Sequence, residues 1–200
     1  MATARFESWQ AQEPIPLKEY LRQRKWAKYY DRRSAGALVV VARLLDGRAV
    51  EARTPIHWAL GDLEFQDYGL ESIREHSRDS RGIWSAERFA LEGMHSVSPL
   101  TQFKVLYNMP LCLASMELGL VGENSVTHGL DEGLLVCAAA SRWEGEMILG
   151  ATRCRADGGI DCVAALARRD ELDLSRRGDI LEILRSLGGA DPEASREVVP

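Results

Sequence analysis

Apolar positions along the chain change spacing several times, and each change marks an element. Residues 1–16 mix Pro, Gln and aromatic residues without sustained periodicity and read as an extended lead-in. Ala35, Ala37, Leu38, Val41, Ala42, Leu44 and Leu45 form an apolar run that Ser34 could cap and Asp46-Gly47 closes, which predicts a helix. The triplet Val39 to Val41 suits a buried strand equally well, and the pattern leaves both readings open. Pro55 to Leu60 predicts a short strand, 61–67 a loop and Gly69 to Arg78 a polar helix, whereas 79–98 carries no clear pattern. Leu100 to Leu118 has helical spacing interrupted at Asn108-Met109-Pro110. Because proline is best tolerated in a first helical turn, two helical pieces meeting at Asn108 are expected.

Ser125 to Thr127 predicts a strand, followed by a small-residue helix over Leu134 to Arg142 that is apolar on every side and therefore belongs in the centre of a fold. Met147 to Arg155 and Ile160 to Ala167 are apolar runs joined by Ala156-Asp157-Gly158-Gly159, a β-hairpin signal. Ser175 to Leu187 sets Ile180, Leu181, Ile183, Leu184 and Leu187 on one side and charges on the other, the mark of an amphipathic helix. The last residues, 188–200, have the composition of a disordered tail.

Composition narrows the function classes. With 200 residues and 46% hydrophobic content the chain can bury one substantial core, here assigned to residues 17–187. A formal net charge of −5 argues against wrapping nucleic acid. The stretch Leu17 to Arg33 departs from that balance: its lysines and arginines alternate with Tyr20, Trp26, Tyr29 and Tyr30. It could face RNA, but in an acidic chain a solvated helix and turn anchored by its aromatics is the favoured reading. No run reaches membrane-span length and the amino terminus lacks a signal-type apolar core, so no membrane contact and a cytoplasmic location are expected. Cys112, Cys137, Cys154 and Cys162 form no C-x-x-C pair and share no ligand spacing with His57, His76, His95 or His128. Neither metal nor disulfide is expected, and the cysteines read as small buried hydrophobes in a reducing compartment.

One family resemblance organises the middle of the chain. Asn108 to Gly122 (NMPLCLASMELGLVG) resembles the β-ketoacyl synthase segment P-N-M-x-x-G-x-x-A-x-x-L-G-L-x-G without a gap. Gly122-Glu123-Asn124-Ser125-Val126-Thr127 is similar to the approach G-P-N-x-S-V-S-T, one residue shorter. Where the family then has A-C-x-x-G, with the reactive cysteine, this chain reads Gly129-Leu130-Asp131-Glu132-Gly133, so Leu130 takes the nucleophile slot. Upstream, Tyr20 to Ala42 resembles the basic K-x-x-R-R-M-D-R stretch, which turns Val39 to Val41 into helix. Gly69 to Ser72 resembles the G-x-x-S/T helix start, and Ser98-Pro99 the V-S-P turn. Downstream, Met147 to Thr152 resembles the strand ending in A-G-G-T-E, with Arg153 in place of glutamate.

The resemblance spans about Leu17 to Thr152 and implies an α/β fold: an incomplete thiolase-like domain, the N-terminal half of a ketosynthase, with a central mixed sheet flanked by helices. It implies no cofactor. The two catalytic histidines and the lysine of the family's second half find no counterpart in the expected alignment. Condensation needs a thiolate to carry the acyl chain, and a leucine side chain has no lone pair to attack with. The function implied is a non-catalytic accessory subunit of chain-length-factor or scaffold type, partnering a full-length ketosynthase and an acyl carrier protein in polyketide or fatty-acid biosynthesis, with self-pairing as a further arrangement. Ser125, Val126 and Thr127 become an interface strand. Phe103, Leu106, Tyr107, Met109, His128, Leu130 and Asp131 become pocket or interface candidates, with ordinary core packing the competing reading for the first four. A stand-alone binding scaffold is the alternative. A hydrolytic site built from His128, Asp131, Glu132 and Cys137 is a weaker one, since Cys137 falls inside the apolar helix.

Overall fold

The computed structural model of the chain describes residues 2–61, 69–98 and 106–188. The chain divides into two compact units, residues 1–63 with 107–200, and residues 64–106.

The larger unit is built on a five-stranded mixed sheet in the order β1-β5-β4-β2-β3. Strand β1 is Thr3–Trp9, so the expected lead-in is in fact an edge strand, antiparallel to β5 (Ile160–Arg168). Its partner residues lie at the far end of the sequence, which is why local pattern does not reveal it. Strand β4 (Glu146–Cys154) forms the predicted hairpin with β5, and β2 (Ile56–Leu60) runs parallel to both β4 and β3 (Asn124–His128). The hairpin turn is shaped locally: Asp157 accepts the Gly159 N–H at 2.8 Å, and Gly158 sits at φ 78°.

Helices cover both faces, which makes an α/β/α sandwich and explains why β2, β4 and β5 read as continuous apolar runs. On one face α1 (Arg32–Leu45) and α4 (Met109–Leu118) pack over Ile56, Trp58, Leu60, Ile148, Cys162 and Leu166. On the other, α5 (Gly133–Ala140) and α6 (Ile180–Leu187) cover Ala59, Met147, Leu149, Ala151, Val163 and Ala165.

Helix α1 is buried along almost its whole length, and Val39 to Val41 belong to it. Asp31, not Ser34, is its N-cap: the Asp31 carboxylate accepts the Ser34 N–H at 2.8 Å and also pairs with the buried Arg33. The helix can press against β5 because position 36 has no side chain; a Cβ on Gly36 would stand 2.6 Å from the Cys162 sulfur. At the sheet centre the Trp58 indole lies over Gly150 on the neighbouring strand, and its Nε1 donates to Thr152 Oγ1 at 3.0 Å.

Three further expectations are corrected. The basic stretch is two short 3₁₀ segments, Leu17–Glu19 and Arg24–Tyr29, rather than a helix and turn. Helix α5 is not central, since Leu134, Leu135 and Ala138 face the sheet while Val136 is 65% exposed. The amphipathic helix starts only at Ile180, because the Asp179 carboxylate caps it by accepting the Leu181 N–H.

The smaller unit holds α2 (Leu70–His76), α3 (Ala86–Leu91) and a 3₁₀ segment, Gly93–His95. Ser85 caps α3, and Asp79 gathers the Arg81 and Ile83 N–H groups, which hold its carboxyl below the usual range. The loop after Gly61, the first helical piece of 100–107 up to residue 105, and the tail from 189 lie outside the described residues. No helix among the described residues is long and apolar enough to cross a membrane.

Candidate functional site

The β3-to-α5 turn carries Leu130, the position that the sequence resemblance singles out, and its geometry follows from the sheet. Gly129 takes φ 93°, a conformation costly for any other residue, and donates its N–H to the Leu60 carbonyl at 2.9 Å, which ties the end of β3 to the end of β2. Leu130 follows immediately. Its half-buried side chain packs against the α5/α6 side of the sheet, and its carbonyl accepts the Ile180 N–H at 2.9 Å. Asp131 accepts the Gly133 N–H at 3.0 Å and so opens α5.

What makes room for Leu130 is a glycine at the end of β2. A Cβ on Gly61 would meet Leu130 Cδ1 at 2.8 Å and Cγ at 3.2 Å. The carbonyl of Thr152 holds the Gly61 N–H at 3.0 Å. Next along β4, Arg153 pairs with Asp179, the cap of α6. Arg153 is thus part of what fastens α6 beside the turn.

Strand β3 is at the edge of the sheet, with Ser125, Val126 and Thr127 half-buried and Asn124 and His128 exposed. The contacts of Ile56 N–H with Glu123 O and Gly129 N–H with Leu60 O place the alternate residues Asn124, Val126 and His128 with their backbone polar groups turned away from β2. The five residues carry neither proline nor a formal charge, the usual devices that blunt an edge. Ser125 faces His57 across the ladder, Oγ to Nδ1 2.7 Å. His57 is only 3% exposed, and burial pushes its pKa below the usual imidazole value, with Glu123 opposing.

The other candidates distribute unevenly. Tyr107 packs edge-on against the His128 ring with centroids 4.1 Å apart, so these two do meet at the end of β3. Met109 is buried in the first turn of α4 and belongs to the core, while Leu106 is exposed. Phe103 lies outside the described residues. The hydrolytic grouping is not assembled: Glu132 pairs with Arg177, Asp131 is engaged at the helix start, and among the described residues no hydrogen bond links His128 to either acid or to Cys137. Cys137 is half-buried rather than buried. Of the four cysteines only Cys162 is buried, and burial pushes its thiol pKa far up. No cluster of metal-ligating residues occurs among the described residues.

Sequence reasoning passed over His57 and Gly61. Their one available signal was position: a histidine inside the apolar run Pro55 to Leu60, and a glycine at its end.

No family model matches the chain, and no curated protein does either. Among solved structures it is similar to the priming β-ketosynthase from the R1128 polyketide biosynthetic pathway, at 8% sequence identity and a TM-score of 0.33, over 84% of this chain and 51% of that one. The chain therefore spans about half the length of that enzyme.

Proposed function

We propose that this chain is a ketosynthase-like accessory subunit without condensing activity of its own, of chain-length-factor or scaffold type. The observation that carries the reading is Leu130. It stands at the turn between an edge strand and a helix, the place that the sequence resemblance assigns to the reactive cysteine, and its hydrocarbon is packed onto Gly61. A thiolate there would attack an acyl carbonyl; leucine offers neither a nucleophile nor a titrating group.

Partnering is the second half of the proposal. The outward-turned backbone groups of β3, its uncharged sequence and the 65% exposed Val136 on the following helix support a surface that another chain covers by extending the sheet. The partner proposed is a full-length β-ketoacyl synthase, with an acyl carrier protein delivering to the pair. No metal or cofactor is required for that role.

The test is co-expression with the full-length synthase encoded nearest to it, followed by mass measurement in solution. A one-to-one complex is expected, and a charge placed at an exposed position of the strand by Asn124→Lys dissolves it. A folded monomer that binds no synthase overturns the proposal.

A further inference from the structure

His57 is the only buried histidine among the described residues, and it sits behind the edge strand. Its Nδ1 meets Ser125 Oγ at 2.7 Å, while its Nε2 is buried without a hydrogen-bond partner. A neutral imidazole suits this place because the hydroxyl can either donate to Nδ1 or accept from it. An imidazolium does not suit it. Both ring nitrogens would then be donors, Ser125 could serve only one, and a charge would stand in the apolar layer.

The groups around the ring offer little relief. Strand β2 has no other titratable residue, and β4 presents Leu149 opposite His57. Helix α5 has no charged residue, and Cys137 is its one titratable group. Strand β3 brings Ser125 and, from its approach, Glu123, whose carboxylate is already held by the Ser141 hydroxyl at 2.6 Å.

We propose that the His57–Ser125 pair is an acid-sensitive pin that holds β3 in the sheet and lets it open when the imidazole takes a proton. Among the described residues β3 has β2 as its sole strand neighbour, so opening at this pair also frees the Gly129–Leu130 turn beyond it. The inference concerns the chain by itself and does not depend on the partner reading.

The sign follows from the native pKa lying below the ordinary 6.5 while the opened strand returns His57 to it. Between those two values the opened form binds the extra proton. Closure is therefore complete above the ordinary value and weakens, by at most about tenfold per pH unit, as the pH falls towards the native one, beyond which the loss levels off.

Two measurements on the whole chain test this. An NMR titration of the His57 ring should give a pKa below that of an ordinary histidine. Amide exchange, corrected for its intrinsic pH dependence, should be faster for Ser125, Thr127 and Gly129 at about pH 5 than at about pH 7.5, by a factor that the measured ring pKa fixes and that reaches at most about 30-fold for an open-state value of 6.5, with β4 and β5 unchanged. In His57→Gln, which stays neutral, that difference should vanish. An ordinary titration of His57, an exchange response absent from β3, or the same response in His57→Gln overturns the proposal; if the variant fails to fold, the ring titration alone decides.

Discussion

Adding one methyl group at Gly61 tests whether Leu130 is a packed filler. The new Cβ would lie 2.8 Å from Leu130 Cδ1 and 3.2 Å from Cγ, well inside ordinary contact for the first and tight for the second. Gly61 has no positive φ, so alanine is conformationally allowed there and gains about 0.4–1 kcal/mol from a restricted unfolded chain. Against that stands an overpacking cost of about 1–3 kcal/mol, kept towards the lower end because Cδ1 is the free end of a flexible side chain. Gly61→Ala should therefore destabilise by about 1 kcal/mol. Leu130→Ala removes a half-buried side chain and should cost about 1–2 kcal/mol, below the range for a fully buried leucine. In the double variant the new methyl enters the space that Leu130 left, so the total should fall short of the sum by about 0.5–1.5 kcal/mol. Urea unfolding of the four proteins, followed by tryptophan fluorescence, gives each term from the midpoint at constant m. Additivity within about 0.3 kcal/mol would refute the contact and with it the account of why Gly61 is glycine.

Three further outcomes follow from the core. Gly36→Ala drives a methyl to within 2.6 Å of the Cys162 sulfur and should destabilise by about 1–3 kcal/mol, with Cys162→Ala restoring much of the loss in a thermal melt. Asp31→Ala removes both the cap of α1 and the carboxylate beside the buried Arg33, and should cost about 2–4 kcal/mol, whereas Ser34→Ala should leave the helix start intact. With a thiol reagent on the folded protein, Cys137 should label well before Cys162, whose thiol is buried and kept protonated; equal rates would place β5 at the surface.

How much of this was legible beforehand depended on whether the determining contacts were local. The β4–β5 hairpin could be read because Asp157, Gly158 and Gly159 build the turn from their own side chain and dihedrals. Helix α4 could be placed at Asn108 because proline limits where a helix can begin. The start of α1 was harder to place: both Asp31 and Ser34 are good caps, and the Arg33 pairing that favours the aspartate is visible only in three dimensions. The lead-in hid a strand because β1 takes its order from β5, at the other end of the chain.

The residue pattern by itself determined where the β4–β5 hairpin, β2 and the start of α4 run, while the α/β layering and the interest of Leu130 entered only as what the family resemblance implies. The places of those elements depend on single residues or on neighbours within a turn or two. The tertiary structure alone decided that β3 ends up at the edge, that Gly61 makes room for Leu130, and that His57 is shut in behind Ser125. Each of these joins residues brought together by parallel pairing, whose register is set by side-chain burial on both faces and leaves no mark in the local sequence.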